Sequence, residues 1–196
     1  MKPSSKREQS RMRQKRQKWI SYGIGAGVAL IVLGILGVLV WQSAKPQAGE
    51  VVSIPAGYET HVQVGTALTY PSDPPAGGQH YAEELSNGFF DESSLPNRPG
   101  DIAGYLVHNL EHGYVIFWYN CAKLDESGCN TLKSQIKSVM DAKNNLKLIA
   151  VPWKSIDVPL VMTSWGRLQR FDAFNEQSAR AFIDSNLNHA PEPDAQ

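Results

Sequence analysis

The string His108-Asn-Leu-Glu111-His112 places two imidazoles and a carboxylate close together in the chain. In an α-helix, residues i, i+3 and i+4 lie on one face, so these three side chains could converge on a single metal ion. In a β-strand, His108 and His112 would still share a face, whereas Glu111 would point to the opposite one. Convergence of the two imidazoles is therefore predicted in either case, but a role for Glu111 requires a helix.

A third ligand is expected from His80, which ends the segment 74–80 (PPAGGQH). Its two prolines restrict the loop, and its two glycines allow the backbone to approach other atoms closely. Such a loop could direct His80 to a site formed elsewhere in the fold. Three imidazoles suit a Zn or Cu ion, and the sequence does not choose between the two. Glu111 would be a fourth ligand or would orient a ligand histidine by a hydrogen bond.

Two other interpretations use the same residues. His108 and His112 could be buried structural histidines that bond to the backbone, with His80 exposed. The H-x-x-E-H pattern also occurs in inverted zinc peptidases, where the glutamate is a general base on a zinc-bound water. Those enzymes are far larger, and here Gly113 and an apolar run follow the motif at once, which leaves little helix. A non-catalytic metal site is therefore favoured over a hydrolase, with His80, His108, His112 and Glu111 as the metal-binding residues.

The remaining two histidines, His61 and His189, are predicted to be surface residues. Cys121 and Cys129 enclose seven residues between a predicted strand and a predicted helix. Outside the cytoplasm such a pair should form a disulfide, which would stabilise the domain by about 2.5 kcal/mol through chain entropy. A redox-active pair would more often be C-x-x-C at the start of a helix, so a structural disulfide is predicted.

The elements that must position these side chains follow from hydrophobic periodicity. Residues 61–70 alternate as a strand would, residues 71–78 form a turn-rich loop, and residues 102–112 are ambiguous. Further on, the pattern predicts a buried strand over 114–119, a helix over 131–144 with Asn130 as N-cap, strands over 146–151 and 160–165, and a helix over 175–187 with Ala179, Phe182 and Ile183 facing inward.

The predicted order from residue 114 onward is therefore β-α-β-β-α, within a single α+β domain of mixed helices and strands. This order loosely resembles half of a thioredoxin-like fold. A likeness at the level of topology implies no activity.

The N-terminal segment differs from the rest of the chain. Residues 20–40 are uncharged and mostly apolar, and as a helix they would be about 31 Å long, which matches the hydrocarbon core of a bilayer. Trp19 and Trp41 flank this stretch, as interfacial indoles do. A retained transmembrane helix over 19–41 is therefore predicted. The alternative, a cleavable signal peptide, has a shorter apolar region and a small-x-small cleavage site, which residues 42–44 lack.

The zero net charge is an average of two unlike parts. Residues 1–18 carry eight basic residues and one acidic residue, whereas residues 42–196 carry 11 basic and 18 acidic ones. Basic residues before an apolar helix predict a cytoplasmic N-terminus and an extracytoplasmic C-terminal domain, in the plasma (inner) membrane. The expected partners are the lipid bilayer and another membrane or extracytoplasmic protein. Nucleic acid is not expected, because no aromatic residue is interleaved with the basic residues before Trp19.

The predicted organisation has five parts. These are a basic cytoplasmic segment over 1–18, the transmembrane helix over 19–41, a linker over 42–60, the extracytoplasmic domain over 61–188 and a disordered tail over 189–196.

Four segments occur in the order of a known family: 70–80 (YPSDPPAGGQH), 108–116 (HNLEHGYVI), 163–167 (TSWGR) and 190–192 (APE). Together they resemble the bacterial membrane-anchored family called domain of unknown function 3105, over about residues 62–192. The family tends to have Ser-Gly before the loop histidine, where this chain has Gly77-Gly78, and a Trp shortly after it, where this chain has YAEEL over 81–85. The histidines match. Because the family is uncharacterised, the resemblance implies no activity.

The sequence thus predicts a single-pass membrane protein of unknown cellular role whose extracytoplasmic domain binds Zn or Cu through a histidine cluster. The alternative, from a different class, is a membrane-anchored interaction module whose histidines are structural.

Overall fold

The computed structural model describes residues 19–20, 22–25, 27–38 and 46–194. The chain divides into two units, residues 1–46 and residues 47–196. The basic segment predicted over 1–18 lies outside the described residues.

The prediction of a fold that begins with a transmembrane helix over 19–41 is wrong. The helical backbone described in this region covers residues 19–20, 22–25 and 27–38, and among the described residues no helix combines the length and the apolar character that crossing a membrane requires. A stretch of uncharged, apolar residues indicates a membrane span only where it also forms a helix of the required length.

Residues 47–194 contain short and long strands, three α-helices and one 3₁₀ turn. In chain order the strands are β1 (Glu50–Val51), β2 (His61–Val62), β3 (His80–Tyr81), β4 (Gly88–Phe89), β5 (Val115–Tyr119), β6 (Leu148–Pro152), β7 (Leu160–Ser164) and β8 (Arg167–Phe171). The helices are α1 (Ile102–Glu111), α2 (Glu126–Asp141) and α3 (Glu176–Asn186), and the 3₁₀ turn is Cys121–Lys123.

Six of these strands form one mixed sheet, in the order β1-β8-β7-β5-β6-β4. Strand β5 pairs in parallel with β6 and antiparallel with β7, and β7 pairs antiparallel with β8. Strands β2 and β3 form a separate parallel pair, in which His61 lies opposite His80. The residues predicted as a linker contribute β1, which pairs with β8 at the edge of the sheet.

Strand β5 is buried along its whole length and divides the core in two. Phe117 and its alternate neighbours pack with α2 and α3 on one face of the sheet. Ile116 and Trp118 pack on the other face with α1 and with the segment around Tyr81. We call these the apolar face and the α1 face, respectively. A strand with helices on both faces must be apolar throughout, which explains the unbroken run that predicted it.

The predicted element order needs one correction. Strand β8 was missed, so the order from β5 onward is β-α-β-β-β-α. Its sequence (RLQRF) is mostly polar, and only Leu168 and Phe171 are buried. The strand exists because it pairs antiparallel with β7 across the Trp165-Gly166 turn. Pairing with a neighbour is not visible in the composition of a half-exposed strand.

Helix α2 begins five residues earlier than predicted. Its N-cap is Asp125, whose Oδ1 accepts a hydrogen bond from the Gly128 N–H at 2.7 Å, and not Asn130. The last helix matches its prediction: α3 covers Glu176–Asn186, and Ala179, Phe182 and Ile183 are buried. The strand predicted over residues 61–70 is reduced to His61–Val62.

Candidate metal site

Helix α1 resolves the ambiguity of residues 102–112. It is capped by Asp101, whose Oδ1 accepts from the Ala103 N–H at 2.9 Å, and all its residues from Ala103 onward are buried. It ends before Gly113, which has φ +81°, and a Cβ there would lie 2.6 Å from the Cα of Asn188. The helical geometry puts Glu111 on the histidine-bearing face, which is the condition that the predicted role of this carboxylate requires.

A clamp from α1 holds the segment that carries His80. The Oδ1 of Asn109 accepts from the Leu85 N–H at 3.0 Å, and its Nδ2 donates to the Leu85 carbonyl at 2.8 Å. Asn109 is fully buried, so both bonds form away from water. The amide thereby fixes the chain after β3 against α1, and β3 carries His80 to the helix.

His80 is fully buried and both of its ring nitrogens are engaged. Its Nδ1 lies 2.8 Å from the Gly78 carbonyl oxygen, and its Nε2 lies 2.8 Å from Oε2 of Glu111. A carbonyl oxygen can only accept, so Nδ1 carries a hydrogen. Glu111 also accepts, so in the metal-free chain Nε2 donates a hydrogen to it, and release of that hydrogen would leave a lone pair on Nε2 for a metal ion. A bond from the other ring nitrogen to a carbonyl is how metal proteins orient a ligand histidine.

The two glycines before His80 are required by the loop. Gly77 and Gly78 both have φ +137°. A Cβ on Gly77 would lie 2.9 Å from Ile54 and 3.3 Å from Trp165, and one on Gly78 would lie 3.0 Å from Tyr70. The Trp165 ring stands perpendicular to the His80 ring, with centroids 6.2 Å apart. The prediction that these glycines permit close backbone approach agrees with this packing.

His61 was predicted to be a surface residue, but it also belongs to the cluster. Its side chain is 47% exposed, yet its Nε2 lies 3.6 Å from Oε2 of Glu111. Its ring centroid is 4.9 Å from that of His80 and 4.9 Å from that of His108. No motif marks His61, because the parallel pairing of β2 with β3 brings it to His80 from a distant part of the chain. His189, by contrast, is exposed as predicted.

Four side chains could hold one ion: His61, His80, His108 and Glu111 each offer a ligand atom, and all four atoms lie within 4.8 Å of one another. Around a tetrahedral ion with bonds of about 2.0–2.1 Å, ligand atoms are about 3.3 Å apart and imidazole centroids about 5.2 Å apart. The 3.6 Å distance from His61 Nε2 to Oε2 of Glu111 is close to the first value, whereas the 2.8 Å distance from His80 Nε2 is that of a hydrogen bond, which an ion would lengthen. The three centroid distances, 4.9, 4.9 and 5.3 Å, agree with the second.

His108 is prepared to act as a ligand at neutral pH. Burial is the main cause that lowers the pKa of His108 to about 4, and repulsion from the His112, His80 and His61 imidazoles adds to it. Its Nδ1 is buried and has no hydrogen-bond partner within the described part of the chain. A buried polar nitrogen without a partner is costly, and a bound cation would satisfy it.

His112 lies next to these four residues and not among them. Its ring centroid is 4.3 Å from that of His108, but its own nitrogens face Glu84 and Glu192. Two further groups of possible ligands follow: Glu84 with His108 and His112, and Glu111 with His112 and Glu192. Of the predicted metal-binding residues, His80, His108 and Glu111 are thus brought together and His112 is beside them. Metal binding by any of them is still a prediction.

Glu84 and Glu192 were not predicted as site residues. Glu84 lies in a segment to which no helix, strand or ligand motif was assigned, and Glu192 lies in the stretch predicted as a disordered tail. The described part of that tail is docked: the Glu192 N–H donates to the Glu111 carbonyl at 3.0 Å, and Lys147 Nζ donates to the carbonyls of His112 and Pro193. The one indication of Glu192 in the sequence was segment 190–192 (APE), which is among the four segments that resemble the family.

The cysteine pair lies at the opposite end of β5 from helix α1. Cys121 opens the 3₁₀ turn after β5, Cys129 lies in the first turns of α2, and the two are joined by a disulfide with their Cα atoms 5.1 Å apart. This agrees with the predicted pairing. The sulfur atoms are therefore not candidates for ligands of the histidine cluster.

The fold and the cluster define a mixed-sheet domain with a buried set of histidine and glutamate side chains at the end of one helix. Comparison with known families is consistent with the resemblance found in the sequence: residues 61–196 match the family described as protein of unknown function (DUF3105), and the chain belongs to this family. The matched region begins at His61 and includes every residue of the cluster. No curated protein and no solved structure matches the chain, so the thioredoxin likeness gains no support.

Proposed function

We propose that this domain binds one transition-metal ion tightly through His61, His80, His108 and Glu111. One observation carries the proposal: one ligand atom from each of the three imidazoles and the carboxylate lies within 4.8 Å of the others, and the imidazole centroids are 4.9–5.3 Å apart, close to their spacing around a tetrahedral ion. The contacts of His80 support it: the Gly78 carbonyl keeps a hydrogen on Nδ1, so Nε2 is the nitrogen that would bind the ion in place of its hydrogen bond to Glu111.

The donor set favours Zn²⁺ or Cu²⁺. Imidazole nitrogen suits both ions, and a tetrahedral arrangement with one carboxylate oxygen is ordinary for zinc. Because no thiolate is present in the set, the Cu(I) form is disfavoured. We expect the ion to be exchanged through the side of His61, since the side chains of the other three ligands are almost completely buried.

The number of protein ligands bears on the cellular role of the site. Four protein ligands around one ion are typical of a site that stores, carries or is stabilised by metal, and not of one that keeps a position open for substrate. The disulfide supports an oxidising, extracytoplasmic compartment, in which a metal-handling domain would meet free metal ions.

A second candidate is an interaction module with structural histidines. The contact that favours it is the 2.8 Å bond between His80 and Glu111, which already satisfies both side chains if the histidine is doubly protonated. The two candidates differ in one measurable property, namely whether the folded chain takes up a metal ion.

The test is the metal content and metal-linked stability of the purified full chain. We expect a tightly held Zn or Cu ion to survive dialysis, and we expect its removal to lower the free energy of unfolding by about 2.7 kcal/mol when compared with a free-metal concentration a hundred times Kd. His80→Ala and His108→Ala should both lose the ion, and His189→Ala should retain it because His189 is exposed and outside the cluster.

The opposite result would be a folded wild-type chain that retains no Zn or Cu and whose thermal unfolding does not respond to either. That outcome would leave the interaction module as the explanation of the cluster.

A further inference from the structure

Both ring nitrogens of His112 face carboxylates, but at different distances. Its Nδ1 lies 3.1 Å from Oε2 of Glu84, which is a hydrogen-bond distance, whereas its Nε2 lies 3.9 Å from Oε2 of Glu192, which is too long for one. Since a carboxylate accepts and does not donate, Nδ1 gives its hydrogen to Glu84. The neutral His112 ring then presents a lone pair on Nε2 towards Glu192, the carboxylate–histidine arrangement that prepares a metal ligand.

A lone pair that faces a carboxylate oxygen is unfavourable unless a cation lies between them. Two metal bonds of about 2.1 Å separate their ligand atoms by about 3.4 Å at the tetrahedral angle and about 4.2 Å in a straight line. The distance of 3.9 Å between His112 and Glu192 falls within this range.

Glu111 connects this pair to the first site. One ligand atom from each of Glu111, His112 and Glu192 lies within 4.8 Å of the other two, and Glu111 is also in the group with His61, His80 and His108. A carboxylate has two oxygens and can bind two ions, as in sites where two metals lie about 3.5–4 Å apart. The position of Glu111 between the two sets of histidines is suited to that role.

Glu192 is held in place by bonds that do not involve its side chain. Its N–H donates to the Glu111 carbonyl, and Lys147 Nζ donates to the carbonyl of the following residue, Pro193, and to that of His112. The Lys147 ammonium is thereby turned to backbone oxygens and does not pair with the Glu192 carboxylate. These bonds distinguish Glu192 from an acidic side chain that happens to lie near the surface.

We propose that the protein binds a second divalent metal ion, held by His112 and Glu192 and bridged to the first ion by Glu111. The inference rests on the proposed function, because the bridge presupposes the first site. One imidazole and two carboxylates form a harder donor set than three imidazoles and one carboxylate. The second ion is therefore Zn²⁺, Mn²⁺ or Fe²⁺ more readily than copper, and it binds more weakly than the first.

Cobalt titration of the metal-free full chain tests the proposal, with Co²⁺ as a visible probe for both positions. The expected result is two equivalents per wild-type chain, with Kd values at least tenfold apart. The electron paramagnetic resonance signal of the first Co²⁺ should weaken as the second equivalent binds, because a bridging carboxylate couples the two ions. Glu192→Gln should keep the first equivalent and weaken the second at least tenfold, with loss of the coupling.

Glu126→Gln is the matched control, since Glu126 is an exposed acidic residue at the start of α2, and it should behave as wild type. A wild-type chain that saturates at one equivalent would overturn the second site and leave the first intact, as expected if His112 is simply a protonated partner of Glu84 and Glu192. Two equivalents in Glu192→Gln with unchanged affinities would also overturn it. A chain that binds no cobalt, zinc or copper would instead refute the proposed function.

Discussion

The two faces of the central sheet are built from the same strands but differ in the side chains that they bury. The apolar face packs hydrophobic side chains of β5, β6 and β7 against α2 and α3. The α1 face buries Ile116 and Trp118 from the same strand, but its helix also carries His108, Asn109, Glu111 and His112 into the interior. One face thus supplies stability through apolar burial, and the other accepts the cost of buried polar groups in order to form a site.

Most of the buried polar groups named on the α1 face are tolerated because they form hydrogen bonds within the protein. On the α1 face the Trp118 indole donates to Thr163 Oγ1 at 2.7 Å, and Asn109 makes two bonds to Leu85. Those groups are satisfied within the protein. His108 Nδ1 is not satisfied within the described chain, and His108 is one of the four possible ligands of a metal ion. The unsatisfied group therefore marks the place where a ligand is expected.

The largest effect should come from the apolar face. Phe117→Ala removes a fully buried ring that packs among residues of α2 and α3, and it should lower the free energy of unfolding by about 3–5 kcal/mol, as measured by urea denaturation of the metal-free protein. Metal affinity, measured at urea-free conditions on the fraction that is folded, should be unchanged. If metal affinity fell in proportion to the free energy of unfolding, the apolar face would contribute to metal binding as well as to stability.

An intermediate effect is expected from the clamp on the α1 face. Asn109→Ala leaves the N–H and the carbonyl of Leu85 buried without partners, which should cost about 1–3 kcal/mol of unfolding free energy. Because β3 carries His80, metal affinity should also fall, by about 10–100-fold as for other residues that support ligands. Asn130→Ala, on the exposed surface of α2, is the control and should change neither quantity. A variant that lost stability and kept full metal affinity would show that the clamp does not position the site.

The smallest effect is a pH dependence confined to the α1 face. The pKa of His108 is lowered from 6.5 to about 4, so in acid the unfolded chain takes up a proton that the folded chain does not. The contribution of His108 to stability is thus fully present above pH 6.5 and is lost as the pH falls to about 4. Urea denaturation of the metal-free wild type should show this loss, and His108→Gln should show less of it. If the free energy of unfolding fell equally in acid for the wild type and His108→Gln, a group other than His108 would be responsible for the loss.

Several elements could be predicted from the sequence because the signal for each is local. The apolar run at β5 and the periodic pattern of α3 both reflect burial of the residues that carry them, and the structure agrees to within a residue or two. The H-x-x-E-H string predicted His108, Glu111 and His112 as candidate ligands because residues at this spacing are close together in the chain. Apolar composition over residues 19–41 was misleading, since no helix among the described residues is long and apolar enough to cross a membrane.

The remaining features depend on contacts between distant parts of the chain. Strand β8 exists through its pairing with β7, and His61 reaches His80 through the parallel pairing of β2 with β3. Glu192 is brought to His112 by backbone bonds of the C-terminal segment. The sequence by itself determined which side chains could bind metal and that His108 and His112 share a face in either a helix or a strand. Only the tertiary structure decided that His61 joins His80, His108 and Glu111 while His112 faces Glu84 and Glu192, because residues far apart in sequence meet only where the packed backbone brings them together.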